Sequence, residues 1–342
     1  MTRRLSFGLF DQMENDGGTP LADQYSEHLQ LARAADQAGF THWFKSEHHH
    51  VPLDIAPSIN VLLSAVIQET STIRVSSLVH LLPFYDPMRL YEELCMLDHL
   101  GHGRLDVGFG KGISPPEQLL WGIPRDEATE RMEETLDYVL SAMNLVSKEG
   151  LGVLFNYDGQ FSSAKERPLE IGPYQDPHPP LWRPGTLSTA AKLGVSTIIP
   201  GPMKLIPERV AAYREEQNGD GAGGHPPILS TLRRVVVAST ERQATEIATR
   251  AWKHFDANLT KLFRQYDLWP PTMVPSFLGD VDKAFETESL VAGTAKQVAE
   301  YFDQFEQESG LEHVTICPAF GNVSGAEARA TLDLFCEAVL TS

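Results

Sequence analysis

An α/β fold of the (β/α)8 TIM-barrel class is predicted for this chain by three observations. Apolar, β-branched runs alternate with helix-period segments along its whole length, giving eight candidate strands. Its 342 residues suffice for one such barrel, which needs about 250 residues plus insertions. Hydrophobic content of 42% with charged content of 22% matches a globular chain able to bury a large core. An open doubly wound sheet is the alternative, but it leaves strands over. A single domain spanning residues 1–342 is expected.

The elements follow in order. Leu5 to Phe10 reads as a first buried strand, and Leu21 to Ala38 as a helix stopped by Gly39. Thr41 to Lys45 is a short second strand, followed by Ser46-Glu47-His48-His49-His50, and Pro57 to Thr70 is a helix. Ile73 to Leu82 is a β-branched third strand ended by Pro83. Asp86-Pro87 starts a helix, since Asp caps free N–H groups and Pro fits the first turn. Leu90, Leu94, Leu97 and Leu100 give that helix one buried face. Arg104 to Phe109 is the fourth strand, running into Gly108-Phe109-Gly110-Lys111-Gly112. In a parallel βαβ unit the ends of strands three and four emerge on one side of the sheet, where function belongs. Ser114-Pro115-Pro116 is not expected to open a suitable helix. Arg125 to Val146 is a long helix, and residues 150–180 are an irregular insertion with a hairpin around Tyr157-Asp158-Gly159-Gln160. Strands at Pro180 to Arg183, Val195 to Ile199, Ile228 to Ala238 and His313 to Cys317 complete the eight. The helices between and after them are Gly185 to Leu193, Pro207 to Gln217, Glu241 to Phe255, Thr294 to Gln307 and Ala326 to Leu340. Residues 263–290, rich in aromatics and prolines, read as a mobile lid.

The net charge of −18 argues against nucleic acid or anionic membrane as a general partner, while leaving room for one basic pocket. No apolar run approaches the about 18 residues of a membrane span, and Leu5 to Phe10 is too short for a signal peptide. Cys95, Cys317 and Cys336 form no C-x-x-C pair, and a reducing cytoplasm is expected; Cys95 sits on an apolar helix face and belongs to the core.

Glu47-His48-His49-His50 follows the second strand, where a barrel builds its active face, and His is suited to proton transfer near neutral pH. The plainer reading is a solvated polar loop. Adjacent histidines in extended chain point to opposite faces, and there is no H-E-x-x-H, so no metal is expected. Gly108 to Gly112 offers backbone N–H groups and the Lys111 ammonium to a phosphate, or is simply a tight loop; it is neither a P-loop nor a dinucleotide fingerprint. Gly185-Thr186-Leu187-Ser188 opens a helix and suits an anion, or is ordinary capping. Asp106 is either paired inside the barrel or turned outward. No G-x-S-x-G hydrolase elbow occurs.

These residues resemble those of the bacterial luciferase-like flavin-dependent monooxygenases. The resemblance is carried by Trp43-Phe44-Lys45-Ser46-Glu47-His48-His49, by Leu82-Pro83, Asp86-Pro87-Met88-Arg89, Leu97-Asp98, Gly103-Arg104 and Gly108 to Gly112, and by Pro180-Leu181-Trp182 with Gly185 to Gly194. It implies a (β/α)8 barrel, homodimeric, holding a flavin at the C-terminal ends of its strands. It further implies His48 as general base, and Lys111 and Thr186 with Gly185 at the flavin phosphate. Ser77, Leu78 and Val79 would lie at the isoalloxazine ring, with a cis Leu78–Val79 peptide. Gly110 stands where luciferase has a reactive cysteine and Asp86 where it has a pocket histidine, which points away from light emission. The implied activity uses reduced FMN (FMNH2), delivered by a separate NAD(P)H:flavin reductase, and O2 to oxygenate a small organic substrate through a C4a-(hydro)peroxyflavin. The alternatives are F420-dependent hydride transfer on the same fold, and a flavin-binding protein without turnover.

Overall fold

The computed structural model describes residues 5–271 and 279–340. Thirteen strands are β1 (Ser6–Asp11), β2 (His42–Lys45), β3 (Arg74–Ser77), β4 (His80–Leu81), β5 (Leu105–Gly110), β6 (Val153–Asp158), β7 (Ser163–Leu169), β8 (Leu181–Trp182), β9 (Thr197–Ile198), β10 (Leu229–Ser230), β11 (Leu232–Val237), β12 (Leu290–Gly293) and β13 (His313–Ala319). The helices are α1 (Leu21–Gln37), α2 (Ile59–Glu69), α3 (Pro87–Leu100), α4 (Pro115–Leu120), α5 (Ala128–Glu149), α6 (Leu187–Leu193), α7 (Ile206–Glu216), α8 (Glu241–Tyr266), α9 (Val281–Glu286), α10 (Ala295–Glu308) and α11 (Gly325–Phe335).

The strands close into a parallel barrel. β1 pairs with β2 and β13, β2 with β3, β3 with β5, and β5 with β8. Ser196 bridges to Trp182, β9 pairs with β10, and β11 returns to β13. The predicted barrel is therefore present. Its outer contact with the helices is aromatic: Phe7 packs edge-on against Phe302 and Phe335, with centroids at 5.4 and 5.1 Å. No helix among the described residues is long and apolar enough to cross a membrane.

Several expectations need correction. The third strand is not continuous from Ile73 to Leu82: it breaks between β3 and β4 at a cis Leu78–Val79 peptide, and Leu82–Phe84 form a 3-10 turn. The strand expected over Ile228 to Ala238 divides at Thr231, whose hydroxyl donates to the Ile199 carbonyl at 2.8 Å. Runs rich in β-branched and apolar residues hide such breaks, because side-chain type reports the pleat and not its interruptions. A ninth barrel-associated strand, β12, begins at Leu290, the last residue of the expected lid. Arg234 pairs with Leu290 on one side and Cys317 on the other, so β12 lies along the edge of β11 opposite β13. Ser114 does open a helix: its hydroxyl accepts the Glu117 N–H at 3.4 Å and caps α4.

The helix expected to end at Phe255 continues to Tyr266, where Asp267 turns left-handed at φ 50°. Two polar residues of its second half, Asn258 and Thr260, are buried, and Asn258 donates to Glu14 at 2.9 Å. The lid expected over 263–290 is thus α8 at its start and α9 and β12 at its end. Residues 272–278 of it lie outside the described residues. The insertion at 150–180 holds the expected hairpin, β6 paired antiparallel with β7.

Asp106 points into the barrel. It accepts from Arg74 Nε at 2.7 Å and Trp182 Nε1 at 2.8 Å, with His42 Nε2 at 3.4 Å. Burial opposes its charge, but His42, Arg74 and Trp182 hold the carboxyl below its usual range.

Gly108 lets β5 pass the end of β3. A Cβ at this position would stand 2.2 Å from the Ser77 carbonyl oxygen, a backbone atom that cannot swing aside. We expect Gly108→Ala to cost about 1–3 kcal/mol by overpacking. A thermal melt superimposable on the wild type would show that the strands separate freely here.

Candidate functional site

The C-terminal ends of β2, β3, β5 and β8 open into one cleft of about 670 Å³. It is lined by His48, Leu78, Val79, Lys111, Gly185 and Thr186 among others, which brings six of the seven sequence-derived site residues together. Ser77 is the exception. It is fully buried, its hydroxyl donates to the Gly108 carbonyl at 2.9 Å and accepts the Gly108 N–H at 3.0 Å. Its hydroxyl therefore ties β3 to β5 behind the cleft, not within it.

His48 is held at two points. Its Nδ1 lies 3.2 Å from Glu117 Oε1, and its backbone N–H donates to Asp54 Oδ2 at 3.0 Å. Asp54 is itself locked by the Lys45 ammonium at 2.6 Å, both side chains being wholly inaccessible. Lys45 also donates to the Ser46 carbonyl at 2.5 Å, so the loop after β2 is pinned to its own strand. Glu117 has a second role, accepting the His49 N–H at 2.9 Å. Burial works against charge on the imidazole, but the adjacent Glu117 carboxylate outweighs it and raises the His48 pKa. Burial likewise opposes ionisation of Glu117, while His48 and the His49 N–H lower its pKa.

Glu47 organises the neighbouring turn. Its Oε2 accepts the Leu81 N–H at 3.0 Å and the Tyr85 hydroxyl at 2.9 Å, and its Oε1 meets His49 Nε2 at 2.8 Å. The segment around the cis Leu78–Val79 peptide is thereby joined to the histidine loop. His50 is exposed and turns away at φ 60°. Of the three histidines, only His48 lines the cleft.

Two cations, Lys111 and Arg183, also line the cleft, with the Glu133 carboxylate near Arg183. Lys111 is exposed, its Nζ donating to Thr129 at 2.8 Å. Arg183 follows β8, with its guanidinium near Met132 Sδ at 3.3 Å and over the Phe109 ring at 5.4 Å. Gly185 takes φ +113° with open space at its missing Cβ, and Thr186 begins α6 without making a side-chain cap bond. Here a hydroxyl, an ammonium and a guanidinium converge around bare backbone. These residues fit an anionic terminus of a cofactor, and the cis ridge of Leu78 and Val79 fits a flat ring beside it.

Sequence reading missed Glu117, Asp54 and Arg183. Arg183 had a usable signal, a cation one residue past a strand end. Glu117 and Asp54 had none, since only loop packing brings them to His48. Among the described residues, no group of three or more His, Cys, Asp or Glu side chains is arranged to hold a metal.

Comparison with known proteins agrees with this geometry. Residues 5–313 match the family model described as luciferase-like monooxygenase. The uncharacterized protein y4wF of Sinorhizobium fredii is 35% identical over 94% of this chain and 92% of its own. The oxygenase component of the flavin-dependent trigonelline monooxygenase of Acinetobacter baylyi is 26% identical over 70% of this chain and 67% of its own. The oxygenating constituent of 3,6-diketocamphane monooxygenase from Pseudomonas putida, a structure in complex with FMN, superposes with a TM-score of 0.77. It covers 100% of this chain and 99% of its own at 17% identity. The coenzyme F420-dependent tetrahydromethanopterin reductase of Methanopyrus kandleri shares the fold with a TM-score of 0.70, over 98% of this chain and 99% of its own at 15% identity. A family match that runs from the first barrel strand to the last, on a barrel whose strand ends build this cleft, decides the relationship: the chain belongs to the luciferase-like monooxygenase family.

Proposed function

We propose that this protein is the oxygenase of a two-component flavin-dependent monooxygenase. It would take reduced FMN from a separate NAD(P)H:flavin reductase and use O2 to oxygenate a small organic substrate. The carrying observation is a single cleft lined by two cations, an open glycine turn and a carboxylate-paired histidine. Reduced flavin, when bound, supplies the electrons that activate O2.

The chain's own residues do the rest. Lys111, Arg183 and Thr186 hold the phosphate, and Gly185 lets it approach the backbone. Leu78 and Val79 form an apolar surface that keeps water from one side of the ring. Glu117 takes His48 Nδ1, which leaves Nε2 as the atom that accepts or returns a proton.

The test is anaerobic titration with reduced FMN, followed by rapid mixing with oxygenated buffer. Binding, with flavin reoxidation slowed by about tenfold or more against free FMN, supports the reading. Failure to bind FMN while F420 binds moves the assignment to hydride transfer, which the fold shared with the F420-dependent reductase also accommodates.

Lys111→Gln removes one phosphate cation and keeps the stem. We expect reduced FMN to bind about tenfold more weakly, with riboflavin unaffected, and the difference to shrink as salt screens the exposed charge. An equal loss for riboflavin would place Lys111 away from the phosphate.

A further inference from the structure

Charge and ring geometry at the His48 end of the cleft identify the kind of substrate, an inference that rests on the monooxygenase reading above. Phe84 lines the cleft, and behind it Trp121 lies nearly parallel, with ring centroids 5.2 Å apart and planes 9° from each other. His49 meets both rings edge-on, at 5.6 Å from Phe84 and 5.0 Å from Trp121. His49 is in turn fixed by Glu47 at 2.8 Å. The Phe84 ring is therefore braced by Trp121 on one face and by His49 while it lines the cleft. Ile113, in the loop after β5, adds apolar lining to the same cleft.

The charges at this end disfavour an anion. Glu47 and Glu117 both line it, and the imidazolium form of His48 is already matched by Glu117. The cations of the cleft, Lys111 and Arg183, lie toward Thr129 and Met132 on α5 and would pair with the phosphate of a bound flavin. With flavin bound, a carboxylate or phosphate on the substrate would thus enter beside two carboxylates and find both cations engaged. A flat apolar ring would extend the Trp121–Phe84 stack by one member, an arrangement worth about 0.5–1.5 kcal/mol beyond its buried area.

We propose that the substrate is an uncharged, flat apolar molecule, in its simplest form an aromatic ring, seated face-on against Phe84 with its reacting edge toward His48. Trp121 is a positioning residue: it holds Phe84 and does not touch the ligand.

The test uses the full chain, with and without bound FMN, and two probes of one shape, 2-naphthol and 2-naphthoate, measured by calorimetry at neutral pH. The expected result is about tenfold or greater preference for the neutral probe when FMN is present, with 2-naphthol binding undiminished by FMN. Phe84→Leu, which keeps an apolar side chain but removes the ring, should weaken 2-naphthol by about fivefold, the equivalent of one aromatic stack. The proposal is overturned if 2-naphthoate binds as tightly when FMN is present, if 2-naphthol competes with FMN, or if Phe84→Leu with an unchanged melting temperature binds 2-naphthol normally. The wild-type comparison of the two probes needs no variant to fold. Should FMN itself fail to bind, the flavin reading falls while the loss of 2-naphthol affinity in Phe84→Leu, measured on the flavin-free chain, still decides the ring site.

Discussion

His48→Ala should lower kcat by about 10²–10⁴, the range supplied by a positioned proton-transfer group, while reduced FMN binds within about threefold of wild type. The reason is geometric: His48 pairs with Glu117, while Lys111 bonds Thr129 and has no contact with the imidazole. Unchanged turnover would remove His48 from the mechanism. A companion variant, Glu117→Gln, isolates the pair. In the folded protein burial depresses the imidazole pKa and Glu117 more than restores it. With a neutral amide in place of the carboxylate, burial prevails and the His48 titration moves to lower pH. If the neutral imidazole is the working base, the acidic limb of the kcat–pH profile shifts to lower pH with it. A limb that stays in place would assign it to another group.

The same pair has a stability consequence with a definite sign. Glu117 has a folded pKa below its ordinary 4.5, so its contribution is complete above that pH and is lost as pH falls through the folded value. His48 has a folded pKa above its ordinary 6.5, so its contribution is complete below that pH and is lost as pH rises through the folded value. Both act together between those two ordinary values.

Asp54→Ala should unfold the protein more readily than any substitution on its surface. The change strands the Lys45 ammonium, whose side chain is wholly inaccessible, and releases the N–H groups of His48 and Ala56. Removing one partner of a buried ion pair costs about 3–5 kcal/mol. For a chain of this length that is a drop of about 4–7 °C in melting temperature. Replacing both partners, as Lys45→Met with Asp54→Leu, should recover most of the loss, because no charge is then buried alone. A single variant that melts with the wild type would mean that water reaches Lys45. Activity should fall in the double variant even where stability returns, since the His48 N–H has lost its acceptor.

Much of this site was legible before folding, and particular residues show why. His48, Lys111, Gly185 and Thr186 follow directly on strands, and in a parallel barrel every strand end of one sense points to one face. Finding the strands was enough to place those residues. Glu117 was not found because Pro115-Pro116 concealed a helix start that Ser114 caps. Ser77 was assigned to the cleft by its neighbours, but alternation along β3 turns its hydroxyl to Gly108. The end of α8 was misjudged because part of what holds its second half is tertiary: Asn258 donates to Glu14, far away in sequence.

The sequence by itself determined the barrel and the face that carries function, because strand and helix periodicity are local properties of side-chain spacing. Only the tertiary structure decided which carboxylate meets His48, 69 residues distant, and that Lys45 spends its charge on Asp54 and not in the cleft. It alone set Phe84 against Trp121. Partners of this kind are chosen by how loops pack over the barrel, and in a water-poor interior each buried charge takes whichever opposite charge that packing brings within reach.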